Sequence, residues 1–131
     1  MIRVLDASAL IAYLEKEPGY EKIKDVFARA VESDKRILMS VVNWGEVCYI
    51  LMKGYGLEKT SEVLALIETF PLEIIPADQE TAKQAAFYKA KKKLPYADSY
   101  AAALSKIWKG ELLTSDKEFK LVEDEIKILW V

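Results

Sequence analysis

With 131 residues, 52% of them hydrophobic, the chain is sized for a single domain around one buried core. A net charge of −2 excludes binding nucleic acid by bulk positive charge, so a polyanion must be met by local lysines or by bound metal. The absence of histidine excludes Ser-His-Asp and Cys-His nucleophilic machinery and imidazole zinc sites, and the single cysteine, Cys48, excludes an internal disulfide.

Met1 to Leu5 reads as a short buried strand running into Asp6, with a helix following from Ser8 to about Glu15. Pro18-Gly19 breaks that helix, and Ile23, Val26, Phe27, Ala30 and Val31 mark an amphipathic helix from Tyr20 to Ser33. Ile37 to Ser40 is a second strand. A helix from Val42 to Lys53 follows, which Gly54 and Gly56 are expected to stop. Val63, Leu64, Leu66, Ile67 and Phe70 mark a separate helix ended by Pro71, and Leu72 to Ile75 is the third strand. Asp78 caps a helix that reaches Lys93, and Pro95 divides it from a small-residue helix over Tyr96 to Lys109. Glu111 to Thr114 and Ile126 to Val131 are strands four and five. Apolar strands without period-two polarity, alternating with helices, specify a parallel sheet covered on both faces: a single-domain, three-layer α/β/α sandwich. No apolar run approaches the roughly 18 residues that cross a bilayer, and no leader-like segment opens the chain, so a soluble cytoplasmic protein without a membrane partner is expected.

Ligands in such sheets bind beyond the carboxyl ends of the strands, which directs attention to the polar residues there. Asp6 follows strand one directly, and Thr114-Ser115-Asp116 follows strand four. Glu46 shares a helix face with Val42, Tyr49 and Ile50, so an acid stands where an apolar residue is expected, at a cost in free energy unless it is compensated. Asp98 opens a helix whose Ala101, Ala102 and Ala103 would let it approach the sheet closely. Taken singly, most of these acids have a plainer role. Asp6 could cap a helix, and Asp98 could complement a helix dipole. Asp116 lies in Ser115-Asp116-Lys117-Glu118, which matches a capping box with Ser115 as the cap and Glu118 as its partner. Glu46 has no such role, whereas Asp78 looks like an ordinary cap and is left out. Convergence of the four changes the balance. Like charges about 4 Å apart repel by roughly 4 kcal/mol at an effective dielectric of about 20. Divalent cations relieve that repulsion; oxygen donors suit Mg²⁺ or Mn²⁺, and paired metals recur in phosphodiester hydrolysis.

Four segments, in order along the whole chain, resemble a PIN domain: Val4-Leu5-Asp6-Ala7-Ser8-Ala9-Leu10, Asn43-Trp44-Gly45-Glu46-Val47, Leu94-Pro95-Tyr96-Ala97-Asp98 with the alanines beyond it, and Leu113-Thr114-Ser115-Asp116-Lys117-Glu118-Phe119. The compact length resembles specifically a VapC-type toxin of a toxin–antitoxin pair. That resemblance implies a five-stranded parallel sheet of order 3-2-1-4-5 and Mg²⁺- or Mn²⁺-dependent endonucleolytic cleavage of RNA by metal-activated water, leaving a 5′-phosphate and a 3′-hydroxyl. It also implies a small cognate antitoxin over the acidic groove, and a homodimer. Matched by position, Asp6 and Asp98 are the principal metal ligands, Glu46 and Asp116 complete the acidic cluster, and Ser8 and Ser115 fall where hydroxyls support it. Asn43 stands three residues before Glu46, where small hydroxyl residues are also common.

Lys91, Lys92 and Lys93 could meet RNA phosphates or form a solvated helix end, and Tyr96 and Trp44 could stack on bases or pack in the core. A haloacid-dehalogenase-type phosphatase fails because Ser8 occupies the place of its second aspartate. A receiver domain needs a phosphoacceptor aspartate after strand three, where only Asp78 is available, and a lysine after strand five, where this sequence has none. The stronger rival is a PIN fold that serves as a binding module with slow or silent chemistry.

Overall fold

A computed structural model describes residues 1–131. The elements, in chain order, are β1 (Arg3–Leu5), α1 (Ala7–Leu14), α2 (Tyr20–Glu32), β2 (Ile37–Ser40), α3 (Val41–Ile67), β3 (Leu72–Ile75), α4 (Gln79–Lys92), α5 (Tyr96–Ile107), β4 (Glu111–Thr114), a 3₁₀ turn (Lys117–Val122) and β5 (Lys127–Trp130). The strands form one parallel sheet of order β3-β2-β1-β4-β5, the expected three-layer arrangement.

Strand residues alternate between two buried layers, which is why the strands read as unbroken apolar runs. Leu5, Ile37, Met39 and Leu113 join Leu10, Ile23, Phe27, Val47 and Leu51 on the face covered by α1, α2 and α3. Val4, Leu38 and Leu112 pack on the opposite face with Tyr88, Leu104 and Phe119. Ala101, Ala102 and Ala103 are wholly buried there, so α5 lies close against the sheet, as its small side chains allow.

Two features differ from the sequence expectation. Gly54 does not stop a helix; it lies inside α3, where a glycine is tolerated at about 1 kcal/mol relative to alanine. Only Gly56 leaves helical geometry, at φ 81° and ψ 172°. The two helices expected between Val42 and Phe70 are thus two limbs of one segment hinged at that residue, with no loop between them. The second difference is the 3₁₀ turn after β4, which sinks Phe119 and Val122 into the core and carries the chain to β5.

The central pair β1 and β4 matters most for the site. Their register sets Leu5 against Leu113, so the residues that follow, Asp6 and Thr114, emerge side by side at the carboxyl edge of the sheet.

Candidate active site

Asp6 ends β1 and begins α1. Its Oδ1 accepts the Ala9 backbone N–H at 2.8 Å, so it is the helix cap that the plain reading supposed. It is more than a cap. Thr114 Oγ1 donates to Oδ2 at 2.6 Å, and Ser8 Oγ lies 2.9 Å from both carboxylate oxygens. Burial pushes the Asp6 carboxyl up to about 6, against the hydrogen bonds of Thr114, Ala9 and Ser8 that pull it down, while the charge of Asp116 adds to the rise.

Asp116 is joined to this group through Thr114, whose Oγ1 accepts the Asp116 N–H at 2.9 Å. The expected capping box is not formed. Asp116 itself caps the 3₁₀ turn, taking the Glu118 N–H on Oδ1 at 2.9 Å, and Ser115 Oγ instead lies 3.3 Å from Ser8 Oγ. The geometric reason is the tightness of the turn: it begins at Lys117, so Asp116 takes the cap position.

Glu46 sits in the first limb of α3, and its supposed apolar face is not buried. Tyr49 and Ile50 are 61% and 40% exposed, and the buried stripe is Asn43, Val47, Cys48 and Leu51. Glu46 is half-buried beside that stripe, at the edge of the site and outside the core. Its Oε1 accepts a hydrogen bond from Asn43 Nδ2 at 3.1 Å.

Asp98, half-buried in the first turn of α5, is the point at which the acids meet electrostatically. Burial is the largest influence raising its carboxyl to about 7, followed by the charges of Asp116, Glu46, Asp6 and Glu118. Its carboxylate makes no side-chain hydrogen bond and no ion pair. The structure therefore brings all four sequence candidates to one edge of the sheet. Glu118, which the sequence offers either as a further acid of the cluster or as a cap, has an exposed side chain and contributes charge to the cluster.

No lysine or arginine neutralises this group. The ion pairs of the chain are Arg3–Glu111, Arg29–Asp25, Lys59–Glu62 and Lys92–Asp124, all elsewhere. An all-oxygen, uncompensated carboxylate cluster fits a hard divalent cation in kind. As the side chains stand, no three of the acids are closed tightly enough to hold an ion.

A match to the PIN domain family spans residues 3–125. The chain belongs to that family. Among relatives of this PIN domain, a VapC ribonuclease of Mycobacterium bovis is 29% identical over 124 residues, covering 89% of this chain and 92% of that protein. A VapC ribonuclease of Mycobacterium tuberculosis matches to the same extent. Solved structures share the PIN fold across the chain. The VapBC2 complex of Rickettsia felis, bound to a promoter DNA fragment, matches with a TM-score of 0.79 at 17% identity, over 100% of this chain and 99% of that one. DNA-bound VapBC of Salmonella typhimurium matches with a TM-score of 0.78 at 21% identity, over 98% and 97%.

Thr114 and Asn43 are the site residues that sequence reasoning did not assign. Thr114 could have been found from the strand order, since a β1–β4 neighbourhood puts the residue after Leu113 beside the residue after Leu5. Of the proposed substrate contacts in this PIN domain, Trp44 packs against the core and Lys92 is paired with Asp124 at 3.1 Å. Tyr96 is 50% exposed, its hydroxyl 3.0 Å from that of Tyr100.

Proposed function

We propose that this PIN domain is a divalent-metal-dependent endoribonuclease, the toxin of a toxin–antitoxin pair. The observation that carries the reading is the carboxylate cluster at the ends of β1 and β4, drawn from four separate elements and left without any basic partner. A merely structural set of acids would be capped, paired or solvated. Asp6 and Asp116 do cap, yet Asp98 has neither cap nor pair. Curated relatives of similar length that carry the name ribonuclease, and neighbours solved as VapBC complexes, support the assignment.

Asp6, Glu46, Asp98 and Asp116 would hold Mg²⁺ or Mn²⁺. Bound there, the metal would activate water and stabilise charge on the scissile phosphate, giving a 5′-phosphate and a 3′-hydroxyl. The chain supplies the rest. Ser8 and Thr114 fix the Asp6 carboxylate in one orientation, and the cap to Ala9 anchors it to α1. The Tyr96 ring, half exposed at the start of α5 and set edge-on to Tyr100, offers an unpaired base a stacking surface. A cognate antitoxin over the acidic groove and a homodimer complete the proposal, with RNA in the cytoplasm as the substrate.

The test is cleavage of a labelled single-stranded or structured RNA with Mn²⁺ by wild type, Asp6→Asn and Asp98→Asn. Asparagine caps a helix about as well as aspartate, so the fold should survive. Each variant is expected to lose more than about 100-fold in rate with its melting temperature retained; changing an outer partner of a metal site alone typically gives about 10–100-fold. Cleavage by both variants at the wild-type rate would refute the mechanism. A silent wild type that still binds a small partner would favour the binding-module reading.

A further inference from the structure

Asn43 is polar, wholly buried, and set in the first turn of α3, where its side chain makes no capping hydrogen bond. Its Nδ2 lies 3.1 Å from Glu46 Oε1 and 3.0 Å from the carbonyl oxygen of Ala97, the residue before Asp98. Both amide hydrogens are therefore engaged, one by an acid of the cluster and one by the helix that carries another. The bond to Ala97 is the one side-chain hydrogen bond joining α3 to α5, and the bond to Glu46 is the one that the Glu46 carboxylate receives.

The orientation of the amide is dictated by its partners. A carboxylate and a carbonyl both only accept, so turning the group over would point Oδ1 at two other oxygens. In the orientation adopted, Oδ1 is sealed from solvent with no hydrogen-bond partner. A buried acceptor without a donor carries an uncompensated desolvation penalty, which an apolar residue of similar size would avoid.

We propose that Asn43 is a positioning residue of the metal site, a two-donor clamp that holds Glu46 and the start of α5 in a single arrangement around the cation. This inference rests on the reading of Glu46 and Asp98 as metal-holding groups. An aspartate at this position could not serve, having no donor when ionised, and a serine has one hydroxyl hydrogen and could satisfy only one of the two acceptors.

The experiment compares wild type, Asn43→Leu, Asn43→Ser and Asp98→Asn in Mn²⁺ binding, measured without RNA by the paramagnetic resonance signal of free Mn²⁺, alongside thermal melting and RNA cleavage. Asn43→Leu removes the orphaned acceptor together with both donors. It is expected to stay folded, bind Mn²⁺ about 10–100-fold more weakly, and lower kcat while KM for RNA stays near wild type. Should Asn43→Leu fail to fold, Asn43→Ser, which keeps one donor of the two, is expected to lose affinity by more than about threefold. Mn²⁺ affinity within twofold of wild type in whichever variant folds would overturn the clamp alone, as would affinity lost only in proportion to unfolding. A wild type that shows no saturable Mn²⁺ binding, no different from Asp98→Asn, would overturn the metal-site reading and the clamp with it.

Discussion

At the scale of single residues, the site is defined by what its acids lack. Asp6 is held by three donors, while Asp98 makes no ion pair and feels the charges of four other acids; burial raises both above the 3.8 ordinary for aspartate, to about 6 and about 7. A carboxyl whose value is raised on folding binds more protons folded than unfolded across the intervening range. Stability therefore falls as pH rises from about 4 to about 7 and levels off above it. In EDTA, the melting temperature of wild type relative to Asp98→Asn should decline over that range, and excess Mn²⁺ should cancel the decline. A difference that stays flat or rises with pH would contradict the burial and repulsion assigned to Asp98. Asp6, Asp98 and Asp116 were legible in sequence as strand-end and helix-start acids. Thr114 and Asn43 were less so, because their roles depend on partners 108 and 54 positions away.

At the scale of elements, local chemistry accounts for most boundaries. Asp78 caps α4 through the Thr81 N–H at 2.9 Å, as its position before Gln79-Glu80-Thr81 suggests. Glycine was the weaker guide: Gly54 and Gly56 look alike in sequence, yet only Gly56 bends α3. Its φ of 81° with ψ of 172° lies in a region essentially closed to other residues, although nothing stands within 4 Å of where a Cβ would be. Gly56→Ala should therefore destabilise by about 1–3 kcal/mol through backbone strain alone, whereas Gly54→Ala should be neutral or stabilising by up to about 1 kcal/mol. Chemical denaturation of the two variants checks this pair, and equal effects would refute the hinge. The face of Glu46 was misread for a related reason. Helical spacing shows which residues align, and only the packing of α3 on α1 and β2 shows which stripe is turned inward.

At the scale of the whole molecule, the parallel sheet and its two covered faces followed from unbroken apolar strands alternating with helices. The order β3-β2-β1-β4-β5 did not. Nothing in local periodicity places β1 between β2 and β4; that came from resemblance to the PIN domain, and it is what puts Asp6 beside Thr114. No helix is long and apolar enough to cross a membrane. Charge is distributed unevenly for a chain of net −2: five acids gather at one sheet edge while the lysines and arginines of the ion pairs lie elsewhere. The central claim is that this edge holds a divalent cation, and anomalous diffraction from crystals grown in Mn²⁺ tests it most directly. An anomalous peak within ligand distance of Asp6 and Asp98, with Glu46 or Asp116 completing the shell, is the predicted result. Ordered crystals in saturating Mn²⁺ with no peak between those carboxylates would contradict it.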